Sequence, residues 1–301
     1  MIEADRLTRR YGDFVAAADV SFVIEPGEIV GLLGHNGAGK TTIMKMLTGY
    51  LEPSSGAARI DGIEVEQNPL ATQANLGYLP ENLPLYPELS VCDYLAFVAE
   101  LRGVDPQAAV RRAITATELE EKALDPINTL SRGFKQRVGV AQAILHEPRF
   151  LILDEPTNGL DPSQTQHMRQ LIQQLADKDT VILSTHIMQE VDAICDRALI
   201  LRGGELVLDE RLDALKSSNR LRVRCGPGDV AGALSGVVGV ESVEPRDGAW
   251  LLAVQGDIDT VAEGVARALH GAAVALRELA SVQRDLETVF REVNEGAQHA
   301  A

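Results

Sequence analysis

Continuous apolar runs and helically spaced apolar positions alternate along the chain. Residues 29–33, 150–153 and 180–183 are uninterrupted apolar or β-branched runs, the pattern of strands buried on both faces. Residues 2–10 read as an edge strand ending at Arg9-Arg10-Tyr11, with a turn over Tyr11-Gly12-Asp13, 20–24 as a second strand and 76–79 as another. A short strand pair is expected over 57–65 around Asp61-Gly62, and a hairpin over 198–201 and 205–208 around Gly203-Gly204. Helical spacing marks 90–101, with Ser90 as N-cap, then 106–119, a helix ending near 146, and 162–175. Strands alternating with helices predict an α/β fold.

The pattern changes character at Lys216-Ser217-Ser218-Asn219. Beyond it the spacing predicts a strand over 221–225, a helix over 229–234 and strands over 238–244 and 249–254. A helix over 258–269, a strand over 273–278 and a last helix over 283–293 follow. The β-α-β-β-α-β order suggests a small α+β, ferredoxin-like domain with Trp250 in its core. The chain therefore divides into residues 1–216 and a second domain over 220–301 that carries no candidate chemistry.

Charge and cysteine content narrow the function classes. A formal net charge of -16 argues against sequence-independent nucleic-acid binding. Cys92, Cys195 and Cys225 lie far apart without metal-ligand spacing and read as buried thiols of a reducing compartment. No apolar run reaches the roughly 18–20 residues that cross a bilayer, and the first residues do not read as a signal peptide.

The chemistry concentrates at the ends of the apolar strands. Gly34-His35-Asn36-Gly37-Ala38-Gly39-Lys40-Thr41-Thr42 fits the phosphate-binding P-loop, between a buried strand and a helix. Glycines let the backbone amides wrap phosphates at a helix N-terminus whose dipole favours anions. Lys40 can reach the β- and γ-phosphates, and the Thr41 hydroxyl can ligate Mg²⁺. Asp154 and Glu155 leave the strand 150–153 at its C-terminal end, where open α/β sheets place ligands. They fit one metal ligand and one water-activating base. His186 follows the strand 180–183 at the same sheet edge. Leu130-Ser131-Arg132-Gly133-Phe134 opens a helix and is either a second anion site or an ordinary N-cap. Tyr11 is either an adenine-stacking aromatic or a filler.

In this order and spacing the motifs closely resemble an ABC ATPase over about residues 1–215. That resemblance implies a P-loop domain with a mixed sheet core, an antiparallel β subdomain and a helical subdomain. Gly34 to Thr42 correspond to the Walker A loop, and Phe150 to Glu155 to Walker B. Leu130 to Arg137 correspond to the ABC signature, Gly159-Leu160-Asp161 to the D-loop, and His186 to the switch histidine. Two departures stand out. The signature reads Leu-Ser-Arg-Gly-Phe, keeping Ser131 and Gly133, and Glu81 replaces the Q-loop glutamine. Both, with Gly77-Tyr78-Leu79-Pro80-Glu81-Asn82 and the segment 285–290, resemble type-2 ABC export ATPases.

The resemblance implies ATP and Mg²⁺ as cofactors and a head-to-tail dimer in which each P-loop faces the other copy's Ser131 and Gly133. Asn36, Gly37, Ala38, Gly39, Lys40, Thr41 and Thr42 would hold the phosphates, and Tyr11 the adenine. Thr41, Asp154 and Glu81 would serve the metal, and Asp161 would lie in the D-loop near the nucleotide. Glu155 would be the base and His186 a γ-phosphate contact. Closure of the dimer would drive a separate permease at the cytoplasmic face of the membrane, placing the apolar loop 83–87 against a permease helix. The domain 220–301 would dimerise or regulate. Two other readings stand beside this one: an ABC ATPase acting on ribosomes or DNA, and a non-catalytic ATP sensor. For Glu81 the alternative is a solvated loop cap.

Overall fold

The computed structural model describes residues 1–295, and the end of the expected C-terminal domain, 296–301, lies outside the described residues. Two compact units form, the first built on Met1–Leu212 and the second on Asp213–Glu292.

The first unit is organised around a six-stranded sheet. Its order is Glu205–Arg211, Arg197–Arg202, Ile29–Leu33, Thr180–Thr185, Phe150–Asp154 and Leu76–Leu79. All neighbours are parallel except the terminal hairpin pair. Side chains on a strand alternate between faces, and here both faces are buried. Phe150, Ile152 and Ile182 enter one core with Val30 and Leu32, and the helix Lys40–Leu47 packs there. Leu151, Leu153, Val181 and Leu183 enter the other, against Met168, Leu171 and Ile172 of the helix Pro162–Ala176.

An antiparallel sheet, in the order Phe14–Ile24, Ile2–Tyr11, Ser55–Ile60 and Ile63–Glu64, shares the first core. A third cluster unites Val91–Leu101, Pro106–Ala116 and Arg132–Ile144 around the buried Tyr94. Ser90 caps the first of these helices, its hydroxyl accepting from Asp93 N at 3.1 Å. The mixed sheet, the antiparallel sheet and the helical cluster match the expected architecture.

The expected second strand, 20–24, begins instead at Phe14. Alanines 16–18 carry little strand propensity of their own; pairing with Ile2–Tyr11 supplies it. The helices Pro69–Ala74, Met188–Ile194 and Leu212–Lys216 escape a reading of periodicity because each spans two turns or fewer. Cys92, Cys195 and Cys225 are free, and half-buried rather than fully buried.

In the second unit the sheet order is Val240–Arg246, Ala249–Val254, Arg220–Cys225 and Leu276–Ser281, antiparallel throughout. With the helices Val230–Ser235 and Ile258–Gly271 on one face, this is the ferredoxin-like arrangement. Trp250 packs against its core. The last strand lies three residues later than 273–278. Ala273 turns with φ +54, and Val274 fills the core ahead of the strand, so its apolarity reflects burial rather than pairing.

His146, just beyond the helix Arg132–Ile144, ties it to the sheet edge by a 3.0 Å bond from Nε2 to the Leu76 carbonyl. Burial, with the Arg102 guanidinium nearby, pulls its pKa from 6.5 down to about 4. Between those values the unfolded chain binds the proton and the folded chain does not. Stability is therefore lost as pH falls from 6.5 to about 4, and the loss levels off below. Urea unfolding across this window should show a shallower pH dependence in His146→Gln than in wild type; equal slopes would rule out this histidine as the source.

Candidate functional site

The strand Ile29–Leu33 turns into a glycine-rich loop and then the helix Lys40–Leu47. Gly39 has φ +104, and a Cβ there would collide with the carbonyl oxygen of Ala16. A side chain is thus excluded both by conformation and by space. The first turn of the helix carries no acidic residue, which leaves its positive end free for an anion. Ala38 is buried behind the loop, where its carbonyl accepts from Gly204 N at 3.1 Å. Lys40 is only 6% exposed; its Nζ donates to the Gly34 carbonyl at 2.7 Å and lies 3.5 Å from Glu155 Oε1.

The strands Phe150–Asp154 and Thr180–Thr185 are parallel neighbours with Asp154 opposite Ser184. The Ser184 hydroxyl donates to Asp154 Oδ1 and accepts from Glu155 N at 3.0 Å. Glu155 N also reaches the Ser184 carbonyl at 3.1 Å. These contacts hold Glu155 in a left-handed conformation, φ +51, which costs a non-glycine residue about 1–3 kcal/mol. Its carboxylate, 7% exposed with its residue, accepts a 2.9 Å hydrogen bond from His186 Nδ1. One carboxylate oxygen thus faces a lysine and the other an imidazole, at the edge of the loop. A carboxylate held at this position is a candidate water-activating base.

Asp154 is fully buried, yet its Oδ2 has no hydrogen-bond partner among the described residues. The Thr41 hydroxyl stands 3.4 Å from Oδ1, and Thr41, Glu81 and Asp154 border one cavity of about 530 Å³. An orphaned carboxylate oxygen beside a hydroxyl and a second carboxylate suits a hard, oxygen-preferring dication such as Mg²⁺. Among the described residues no group of three His, Cys, Asp or Glu side chains forms a complete metal cage. Burial and the nearby Asp154 push the Tyr78 phenol upward, so it stays protonated beside this cavity.

Tyr11, Asn36, Gly37, Gly39, Lys40, Thr41, Thr42, Glu81, Glu155 and His186 line one cleft of about 520 Å³. The Arg9 guanidinium lies 4.7 Å from the Tyr11 ring centroid. Ser131, Gly133 and Asp161 do not line this cleft. In this chain Ser131 caps the helix Arg132–Ile144 and Asp161 caps Pro162–Ala176. Arg132 packs on Gly159, where a Cβ would overlap its guanidinium. Phe14 and Asn158 also line the cleft, and Ser184, Thr157, Thr185 and Glu190 stand behind it, none of them within a motif that marks a site. A strand-end Ser-Thr pair before His186 was the available signal for two of these.

The ABC transporter family profile matches residues 17–158. The chain is 35% identical over 211 residues to the linearmycin resistance ATP-binding protein LnrL of Bacillus subtilis (strain 168), covering 69% of this chain and 68% of that protein. It is 34% identical over 222 residues to the bacitracin transport ATP-binding protein BcrA of Enterococcus faecalis, covering 73% and 72%. A dimeric ATP-binding cassette in a post-hydrolysis state, bound to ADP and Pi, superposes with a TM-score of 0.65 at 25% identity, covering 70% of this chain and 99% of that one. With a phosphate loop, a buried acidic pair and a histidine at one sheet edge, and relatives of this identity and coverage, the chain belongs to the ABC transporter family, as an ATP-binding and ATP-hydrolysing subunit.

Proposed function

We propose that two copies of the chain close head to tail on ATP and drive export through a separate membrane permease. The observation that carries this reading is the convergence of Lys40, Glu155 and His186 beside the orphaned oxygen of Asp154. Glu155 polarises the attacking water, His186 contacts the γ-phosphate, and Lys40 leaves its loop carbonyls for the β- and γ-phosphates. Thr41 and Asp154, with Glu81 at the rim, hold Mg²⁺, which when bound neutralises developing phosphate charge. The adenine stacks on the Tyr11 ring. Ser131, Gly133 and Asp161 do not line the cleft of their own chain, which leaves room for a second copy to supply them. The sensor reading is disfavoured by the Glu155–His186 hydrogen bond, which prepares a base rather than a passive pocket.

Among the described residues no helix is long and apolar enough to cross a membrane. The permease contact falls on a concavity lined by Leu70, Tyr86, Phe97 and Leu101. Leu70 is 80% and Leu101 71% exposed, and the Tyr86 and Phe97 rings meet edge to face at 5.7 Å. Contiguous exposed apolar side chains of this size mark a partner surface. Within the loop 83–87, Leu83 and Leu85 are partly buried against the cores, while Pro84 and Tyr86 are exposed and line this concavity. Permease attachment places the chain at the cytoplasmic face. Relatives named for bacitracin transport and linearmycin resistance favour export.

Glu155→Gln should bind MgATP while hydrolysing it about 10²–10⁴-fold more slowly, and trap the closed dimer. Lys40→Ala should instead weaken ATP binding itself; steady-state turnover and nucleotide titration separate the two, and near-normal turnover in Glu155→Gln would sink the assignment. Glu81→Gln keeps shape and removes charge. It should leave ATP affinity intact but change permease-stimulated hydrolysis and transport in reconstituted vesicles; unchanged values there would mark Glu81 as a solvated loop residue. The unit beyond residue 216 regulates or dimerises, so a chain ending at Ser217 should still bind ATP. A folded truncation that binds none would show that the C-terminal unit belongs to the site.

A further inference from the structure

Behind Glu155 and His186 lies a carboxylate that the hydrolytic scheme does not use. Glu190 is 2% exposed, and among the described residues no cation pairs with it. Two buried hydroxyls converge on it instead. Thr157 donates to Oε1, and Thr185 donates to Oε2 at 2.8 Å. Thr157 stands two residues after Glu155, in a turn closed by Asn158 N to the Glu155 carbonyl at 3.1 Å. Thr185 stands one residue before His186, and its oxygen accepts from Ile187 N at 3.1 Å.

We propose that Glu190 is a positioning residue for ATP hydrolysis: its carboxylate ties the turn after Glu155 to the segment carrying His186, and so sets the base–imidazole geometry. This deepens the reading of Glu155 as base and rests on it.

The residue type follows from the donors. A glutamate side chain offers two acceptor oxygens, and here each takes one hydroxyl proton. Thr185 Oγ1 already receives the Ile187 amide, which directs its own proton to Glu190. An amide at this position would offer NH₂ to one threonine and break the symmetry of the clamp. Burying a carboxylate with hydroxyl partners alone also costs stability relative to an apolar side chain of its size. The contribution of Glu190 therefore lies in where it holds two loops. Glu155 needs such support, because its left-handed backbone persists only where its surroundings over-determine it.

The test uses the full chain and MgATP. Glu190→Ala should lower kcat by about 10–100-fold, the scale of an ångström-level misplacement, with ATP affinity unchanged because the phosphate loop is untouched. Glu190→Gln should fall between wild type and Glu190→Ala. In a Glu155→Gln background, adding Glu190→Ala should cause a clearly smaller loss than it does in wild type, since most of the clamp's effect passes through the base and only the part carried by His186 remains. Thr157→Val removes one of the two hydrogen bonds at nearly constant shape and should lower kcat in the same selective way, even if Glu190→Ala fails to fold. The proposal is overturned if Glu155→Gln is slow while Glu190→Ala or Thr157→Val turns over like wild type. It is equally overturned if Glu190→Ala loses the same factor in both backgrounds, or weakens ATP binding as much as it lowers kcat. Near-normal turnover in Glu155→Gln alone would remove the base assignment, and this proposal with it.

Discussion

The register between two parallel strands governs the site. Asp154 sits opposite Ser184, and one hydroxyl then serves both the carboxylate of Asp154 and the amide of Glu155. A shift of one residue would reverse the faces of Phe150–Asp154, sending Leu151 and Leu153 to the wrong core. Two hydrophobic cores therefore enforce a polar alignment at the strand ends. The chemistry is placed by packing that never touches it.

That arrangement concentrates unfavourable features in one region. Lys40, Asp154, Glu155 and Glu190 are all buried, Glu155 is strained, and one oxygen of Asp154 has no partner among the described residues. Buried charges and orphaned acceptors cost stability. The apolar sheet around them offsets this cost and holds the groups in place before any phosphate arrives. Preorganised groups of this kind need little rearrangement during reaction.

The remaining parts divide by what they expose. The helical cluster buries Tyr94 but leaves Phe97 and Leu101 open along a concavity that Leu70 of the helix Pro69–Ala74 also lines. The helix beginning at Arg132 spends its Ser131 hydroxyl on its own cap, although its N-terminus carries basic rather than acidic side chains. The C-terminal unit closes its core with Val223, Leu252 and Val265 and leaves Arg222 and Arg224 exposed on the opposite side of its sheet.

Local pattern in the sequence determined the buried strands, the phosphate loop, the acidic pair and the β-α-β-β-α-β order of the second unit. Each of these depends on neighbours within a few residues, through alternation, turn chemistry or a motif whose backbone the glycines permit. The sequence alone also marked His186, since strand ends at one sheet edge are predictable from the fold class. It did not disclose Glu190, because a single glutamate in a helix of seven residues carries no periodic signal. Nor did it separate Leu83 and Leu85, which are partly buried against the cores, from Tyr86, which stays exposed. Val274 was misread for the same reason: apolarity reports burial but not the partner that buries it. Tertiary structure decided these points, because hydrogen bonds such as those from Thr157 and Thr185 to Glu190 join residues whose proximity exists only once the sheet has assembled.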